Sequence, residues 1–166
     1  MEISSLHFTC TSSDALSEED NCENVFNSND KDGWFTNGNG IGSWIRIYFN
    51  EMIRVSKIIY RHNAQLPGKE LNQNFKDVLI RFSDGTQLNT TLDDMFDVDL
   101  NYRVAPPKVT SYLELRFISI HNHTNAPPID GEKGDAELNK CRFGLSKLAV
   151  AGNFERGKFF VQAKLN

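Results

Sequence analysis

Apolar residues in this chain recur at every second position far more often than at every third and fourth, which is the spacing of a half-buried strand and not of an amphipathic helix. The clearest runs are Trp44-Ile45-Arg46-Ile47-Tyr48-Phe49, Ile53 to Tyr60, Val78 to Phe82, Tyr112 to Ile120 and Leu145 to Val150, with weaker ones at Ile3 to Phe8, Gln87 to Leu92 and Lys158 to Lys164. They are rich in β-branched and aromatic residues. Turn chemistry separates them. Ser83-Asp84-Gly85-Thr86 reads as a tight hairpin in which Asp-Gly supplies positive φ angles, Pro106-Pro107 marks the approach to a strand at 111–121, and Gly38, Gly40 and Gly42 make 36–43 a loop. Some eight short strands without intervening helices predict an all-β fold, an antiparallel jelly-roll β-sandwich. The alternation places Ile45, Ile47 and Phe49 inside, with Ile53, Val55, Ile59, Leu113, Leu115 and Phe117, and has Trp44 face outward or cap an end.

At 166 residues, 39% of them hydrophobic and 12 of them Phe, the chain supports one core. Residues 1–152 are read as the sandwich and 153–166 as a carboxy-terminal strand or extension of it. No stretch approaches the ~18 apolar residues of a membrane span, and no leader-like segment opens the chain. The net charge of −4 opposes broad polyanion binding. Cys10, Cys22 and Cys141, an odd number, fit free thiols better than a disulfide framework, although one pair remains open. The compartment reading therefore leans to the cell interior, while the sequons Asn89-Thr90-Thr91 and Asn122-His123-Thr124 keep secretion open.

Enzyme motifs are missing from the sequence: there is no nucleophile elbow, no zinc-protease helix motif and no Walker loop. The candidate ligand-binding residues lie on the long polar connections. Trp34 offers an indole for stacking on a sugar, with core packing as its commoner use. Arg61, His62 and Asn63 leave a strand together as a cation, an imidazole and an amide. His121 and His123, two apart at a strand end, project to one side. Asn27, Asn29, Asp30 and Asp32 are closely spaced hard oxygen ligands suited to a structural calcium, or else residues of an ordinary Asn/Asp turn.

The segments Asn24-Val25-Phe26-Asn27, Gly33-Trp34-Phe35-Thr36, Trp44 to Phe49, Arg54-Val55-Ser56-Lys57-Ile58, Asn74-Phe75-Lys76-Asp77-Val78, Phe82-Ser83-Asp84-Gly85-Thr86, Val109 to Leu115 and Phe143 to Gly152 resemble, in order and spacing, discoidin domains. These are also called coagulation factor V/VIII C-type or galactose-binding-like domains, and the likeness spans about residues 10–152. It implies an eight-stranded jelly roll whose end loops bind glycans, lipid headgroups or proteins without chemistry. Secreted members tie their termini with a disulfide, and Cys10 has no partner near Gly152. Calcium-binding members carry an acid where this chain has Lys147. The segments His7 to Ser13, Cys22-Glu23-Asn24 and Phe143 to Ser146 are similar to an intracellular branch found in DNA-repair scaffolds. The preferred expectation is accordingly a non-catalytic, protein-binding adaptor acting through end loops or an exposed sheet face. The alternative is a lectin-like glycan-binding domain. A third reading, recognition of DNA ends, rests on the basic residues Lys140, Arg142, Lys147, Arg156, Lys158 and Lys164 near the carboxy terminus.

Overall fold

A computed structural model describes residues 8–15, 21–26, 33–36, 40–62, 72–121, 142–154 and 160–162. The strands are β1 (Phe8–Ser12), β2 (Trp34–Phe35), β3 (Trp44–His62), β4 (Asn72–Gln73), β5 (Asp77–Phe82), β6 (Gln87–Thr91), β7 (Leu100–Phe117), β8 (Arg142–Phe154) and β9 (Phe160–Gln162), with one 3-10 turn over Cys22–Phe26. The expected antiparallel β-sandwich is what forms. Its hydrogen-bonded path runs β2-β8-β3-β7-β5-β6; β1 joins β3, β9 joins β8, and β4 pairs parallel with β8.

Two long strands make the sandwich continuous. The first part of β3 pairs with β1 and with the last part of β7, whereas its second part pairs with β8 and with the first part of β7. The ladder shifts register between Tyr48 and Ile53, where both strands pass from one layer to the other. The Pro106-Pro107 pair lies inside β7 and does not mark its start. Residues 104–107 have no ladder partner on β3, so two prolines without an N–H cost that ladder nothing. The preceding segment, Leu100 to Val104, is a strand that the proline pair obscured.

A second shift, between Val55 and Lys57, sets the phase of everything after it. Ile53 and Val55 are buried as expected, but the inward residues then become Ile58, Tyr60 and His62, and Ile59 is only half-buried. One extra residue turns every later side chain to the opposite face.

The hairpin after β5 is confirmed with a different backbone. Gly85 alone of the Asp-Gly pair has a positive φ, 84°, and Asp84 instead accepts hydrogen bonds on Oδ1 from the Thr86 amide and hydroxyl. On β8, Gly152 crosses β3 so closely that a Cβ would sit 2.0 Å from the Arg54 carbonyl oxygen. Only glycine fits there.

The core joins Ile45, Ile47, Leu113, Leu115, Val78, Ile80 and Phe82 with Ile58, Leu145, Leu148 and Val150. At one end it is closed by stacked Phe75 and Phe117 rings, 3.8 Å apart, with Trp34 packed at 5.7 Å from Phe117. Cys10 on β1 and Cys22 on the 3-10 turn form a disulfide, their Cα atoms 6.3 Å apart, which corrects the expectation of free thiols at these two positions. β1 and the turn are brought together by Phe8 against Phe26 at 4.8 Å, so the sulfurs meet because the apolar rings beside them do. Cys141 lies outside the described residues.

Candidate functional site

Hydrogen bonds tie the ends of several strands into one end of the sandwich. The Asp97 amide donates to the His62 carbonyl, the His121 amide to the Asn74 carbonyl, the Leu92 amide to the Lys76 carbonyl and the Gly42 amide to the Phe117 carbonyl. The connections at 40–43, 72–76, 92–99 and 118–121 therefore gather beside the last residues of β3. Four large apolar side chains are exposed on them: Ile41, Met95, Val98 and Ile118. Solvent-facing apolar groups set among polar ones on adjoining loops are a feature of binding surfaces.

At the centre of this end is a charged trio. Arg61 on β3 and Lys147 on β8 stand opposite each other in the ladder. Arg61 Nε donates to Asp99 Oδ1 at 2.7 Å, and Lys147 Nζ donates to Asp99 Oδ2 at 2.7 Å. Burial pushes the Asp99 carboxyl up, but the hydrogen bonds from Lys147 and Arg61 outweigh it and hold the group below its ordinary range. Asp97, at a φ of 53°, adds a second carboxylate 3.9 Å from Arg61 Nη1. Ser146 fixes the frame from β8 by donating to the carbonyls of Arg61 and His62.

His62 sits behind this trio with none of its surface exposed. Its Nδ1 is 3.2 Å from the Met95 carbonyl, which makes Nδ1 the donor, and its Nε2 is buried without a hydrogen-bond partner. Burial is the largest cause of a pKa lowered to about 4, with the neighbouring His121 adding to it and the Met95 carbonyl opposing. His62 is therefore a neutral support for the 92–97 segment and is not presented to a ligand. The register shift after Val55 turned it inward. His121 is half-buried at the same end, its Nε2 2.8 Å from the Leu92 carbonyl. Tyr60 accepts from the Asp93 amide, and Asn74 Nδ2 donates to Asp94 Oδ1 at 2.7 Å, so the same segment is held from β3 and from the connections after β4 and β7.

Trp34 is also fully buried, its Nε1 donating to the Asp14 carbonyl at 2.9 Å. No face of the indole is open for stacking, because Phe75 and Phe117 occupy its surroundings. Asn63, His123 and the oxygen-rich positions Asn27, Asn29, Asp30 and Asp32 lie outside the described residues. Among the described residues no group of three or more His, Cys, Asp or Glu side chains is arranged to hold a metal. Arg61, His62 and His121 are thus brought together, the first two in different roles. The segment Asp93-Asp94-Met95-Phe96-Asp97-Val98-Asp99 carries no motif, and the signal in the sequence that points to it is four Asp set among apolar residues in one connection.

No protein-family model and no curated protein matches the chain. Solved structures do. A family 32 carbohydrate-binding module of NanJ from C. perfringens, in complex with galactose, aligns at a TM-score of 0.60 and 12% identity over 86% of this chain and 92% of that one. A chitosan-binding module from a chitosanase/glucanase of Paenibacillus sp. IK-5, in complex with chitotriose, aligns at 0.59 and 10% identity over 88% and 97%. The arabinofuranosyltransferase AftD from mycobacteria aligns at 0.65 and 15% identity over 96% of this chain, which spans only 11% of that enzyme. At these identities the likeness shows the fold, the galactose-binding-like sandwich that carbohydrate-binding modules share with discoidin domains.

Proposed function

We propose that this chain is a non-catalytic, lectin-like module that recognises a glycan at the loop end built around Arg61, Asp99 and Lys147. The observation that carries the reading is the composition of that end. A sugar presents directional hydroxyls beside apolar C–H faces, and it is met by fixed donors and acceptors set next to apolar side chains. Here Arg61, Lys147, Asp97 and Asp99 supply the first, and the exposed Met95 and Val98 supply the second. The fold shared with modules that bind galactose and chitotriose supports this reading over the protein adaptor preferred from sequence. His62 and His121 serve by holding the 92–97 segment in place. Of the basic residues behind the DNA-end reading, Lys140, Arg156, Lys158 and Lys164 lie outside the described residues, Arg142 is described only in its backbone, and Lys147 belongs to the loop-end trio.

The Cys10–Cys22 disulfide also favours an oxidising compartment over the cell interior. A glycan array tests the recognition. Specific neutral-sugar hits that weaken at least about tenfold on Arg61→Ala, the ~1.4 kcal/mol of one lost charge-assisted bond, are expected. Capture of a stable protein partner with no glycan hit would return the adaptor reading.

A further inference from the structure

The outward face of the layer β1-β3-β7-β5-β6 carries a second cluster, on strands and not on the loops. Glu114 on β7 stands opposite Arg46 on β3 and opposite Arg81 on β5, while Arg116, on the same face of β7, stands opposite Trp44. The Glu114 side chain has no exposed surface, whereas Arg46, Arg81 and Arg116 are 30%, 42% and 36% exposed. Arg46 takes Glu114 Oε1 through both Nε and Nη2, and Arg81 and Arg116 approach Oε2 only to 3.6 Å. Glu114 Oε2 and Arg116 Nε are buried without a hydrogen-bond partner.

Three aromatic rings frame the cluster. The Arg46 guanidinium carbon lies 4.9 Å from the Trp44 ring centre, 5.9 Å from Tyr48 and 5.7 Å from Tyr112, and Arg46 Nη1 donates to the Tyr48 hydroxyl. The hydrogen bonds to Tyr48 and Glu114 raise the Arg46 pKa further, so this cation is permanent. Among the described residues of this face three guanidiniums stand against the carboxylates of Glu114 and Asp77, which leaves a small local cationic surplus on a protein whose net charge is −4. Because the Glu114 carboxylate is buried and the guanidiniums are exposed, an incoming anion meets cations first.

We propose that this face is a second binding surface, for an acidic polysaccharide such as a uronate chain. Its carboxylates would pair with Arg81 and Arg116, and its sugar rings would lie against Tyr48, Tyr112 and Trp44. The inference rests on the glycan-recognition reading and adds a charge class and a separate site to it. The flanking strands decide between polyanions. Thr9 and Thr11 on β1, and Gln87 and Asn89 on β6, continue this face with hydroxyls and amides that suit sugar hydroxyls. They add no cation, where a nucleic-acid backbone would demand an extended cationic track. The one carboxylate at the end of β5, Asp77, is tied to Ser119 and Thr91.

The test titrates the full chain with polygalacturonate, neutral dextran and an oligo-dT single strand. Of the two tryptophans, Trp34 is fully buried and Trp44 is partly exposed, so a change in emission reports on this face. Polygalacturonate is expected to bind, to weaken with added salt, and to alter an emission signal that Trp44→Phe removes. Arg81→Gln, the change at the most exposed of the three arginines, should weaken it about tenfold while Arg103→Gln, at an exposed arginine of the other layer, leaves it unchanged. Far-ultraviolet circular dichroism checks that each variant is folded; if Arg81→Gln is not, the Trp44 signal of the unmodified chain decides. No binding to polygalacturonate, full affinity in folded Arg81→Gln, or tighter binding of oligo-dT would overturn the proposal. If neutral glycans still bind the loop end, only this surface is lost; if no glycan of either kind binds, the recognition reading falls with it.

Discussion

Lowering the pH from 7.5 to 5 should loosen this protein through one buried side chain. The His62 pKa falls from 6.5 when unfolded to about 4 when folded, because the fold removes its imidazole from water. The unfolded chain therefore binds the proton more readily between those values. The contribution of the neutral ring is fully present above pH 6.5 and is lost as the pH falls toward 4. At ~1.4 kcal/mol per pH unit the whole span is worth about 3 kcal/mol, of which about 2 kcal/mol is gone at pH 5. That is a substantial part of the ~5–15 kcal/mol that holds a typical domain together. The effect should be local first, since the His62 carbonyl accepts from Asp97 and its Nδ1 faces the Met95 carbonyl, so the charged ring disturbs the 92–97 segment. Urea unfolding at pH 7.5, 6 and 5, run on the unmodified chain and on His62→Phe, separates this group from the rest. The variant starts less stable, having lost its partner for Met95, but should show about 2 kcal/mol less destabilisation on acidification. His121→Gln should retain most of the dependence. Parallel pH profiles for the chain and His62→Phe, or a His62 proton titrating near 6.5 in the folded protein by NMR, would refute the reasoning.

Other substitutions separate structural from recognition residues. Trp34→Ala should cost about 3–5 kcal/mol in chemical unfolding through the cavity left beside Phe75 and Phe117; retention of full stability would mean the indole is not packed there. Gly152→Ala should be among the most damaging small changes, because a Cβ 2.0 Å from the Arg54 carbonyl oxygen forces β8 off β3. An unchanged melting temperature would contradict that close approach. Reducing the Cys10–Cys22 bridge, whose cysteines are 12 residues apart, should lower stability by about 3 kcal/mol on the chain-entropy account. Asp99→Asn should cost under about 1 kcal/mol of stability, since the trio is partly exposed, yet change glycan affinity about tenfold by releasing Arg61 and Lys147.

The fold was legible because period-two burial is local: Ile45, Ile47 and Phe49 point inward for the same reason that Arg46 and Tyr48 point out. What the sequence concealed depends on where the alternation slips. A bulge has no residue signature here, and the shift after Val55 moved His62 from an apparent ligand-binding position into the interior. Trp34 was ambiguous for a different reason, since the same indole serves a sugar or a core and only the arrival of Phe75 and Phe117 decides. Arg61 was visible as a polar strand exit, but its partner Asp99 lies far along the chain and its neighbour Lys147 comes from β8. The Arg46, Glu114, Arg81 and Arg116 cluster was equally hidden, because three separate strands had to be placed in register before the charges met.

The central claim is that the loop end binds a glycan and leaves it intact. It is tested most directly by titrating the strongest neutral hit from the array into isotope-labelled protein and following backbone amides, with the sugar recovered afterwards. Saturable shifts at Arg61, Met95, Asp97, Val98, Asp99 and Lys147, together with an unaltered sugar, are the result this account predicts. Shifts confined to residues remote from that end, or cleavage of the glycan, would contradict it.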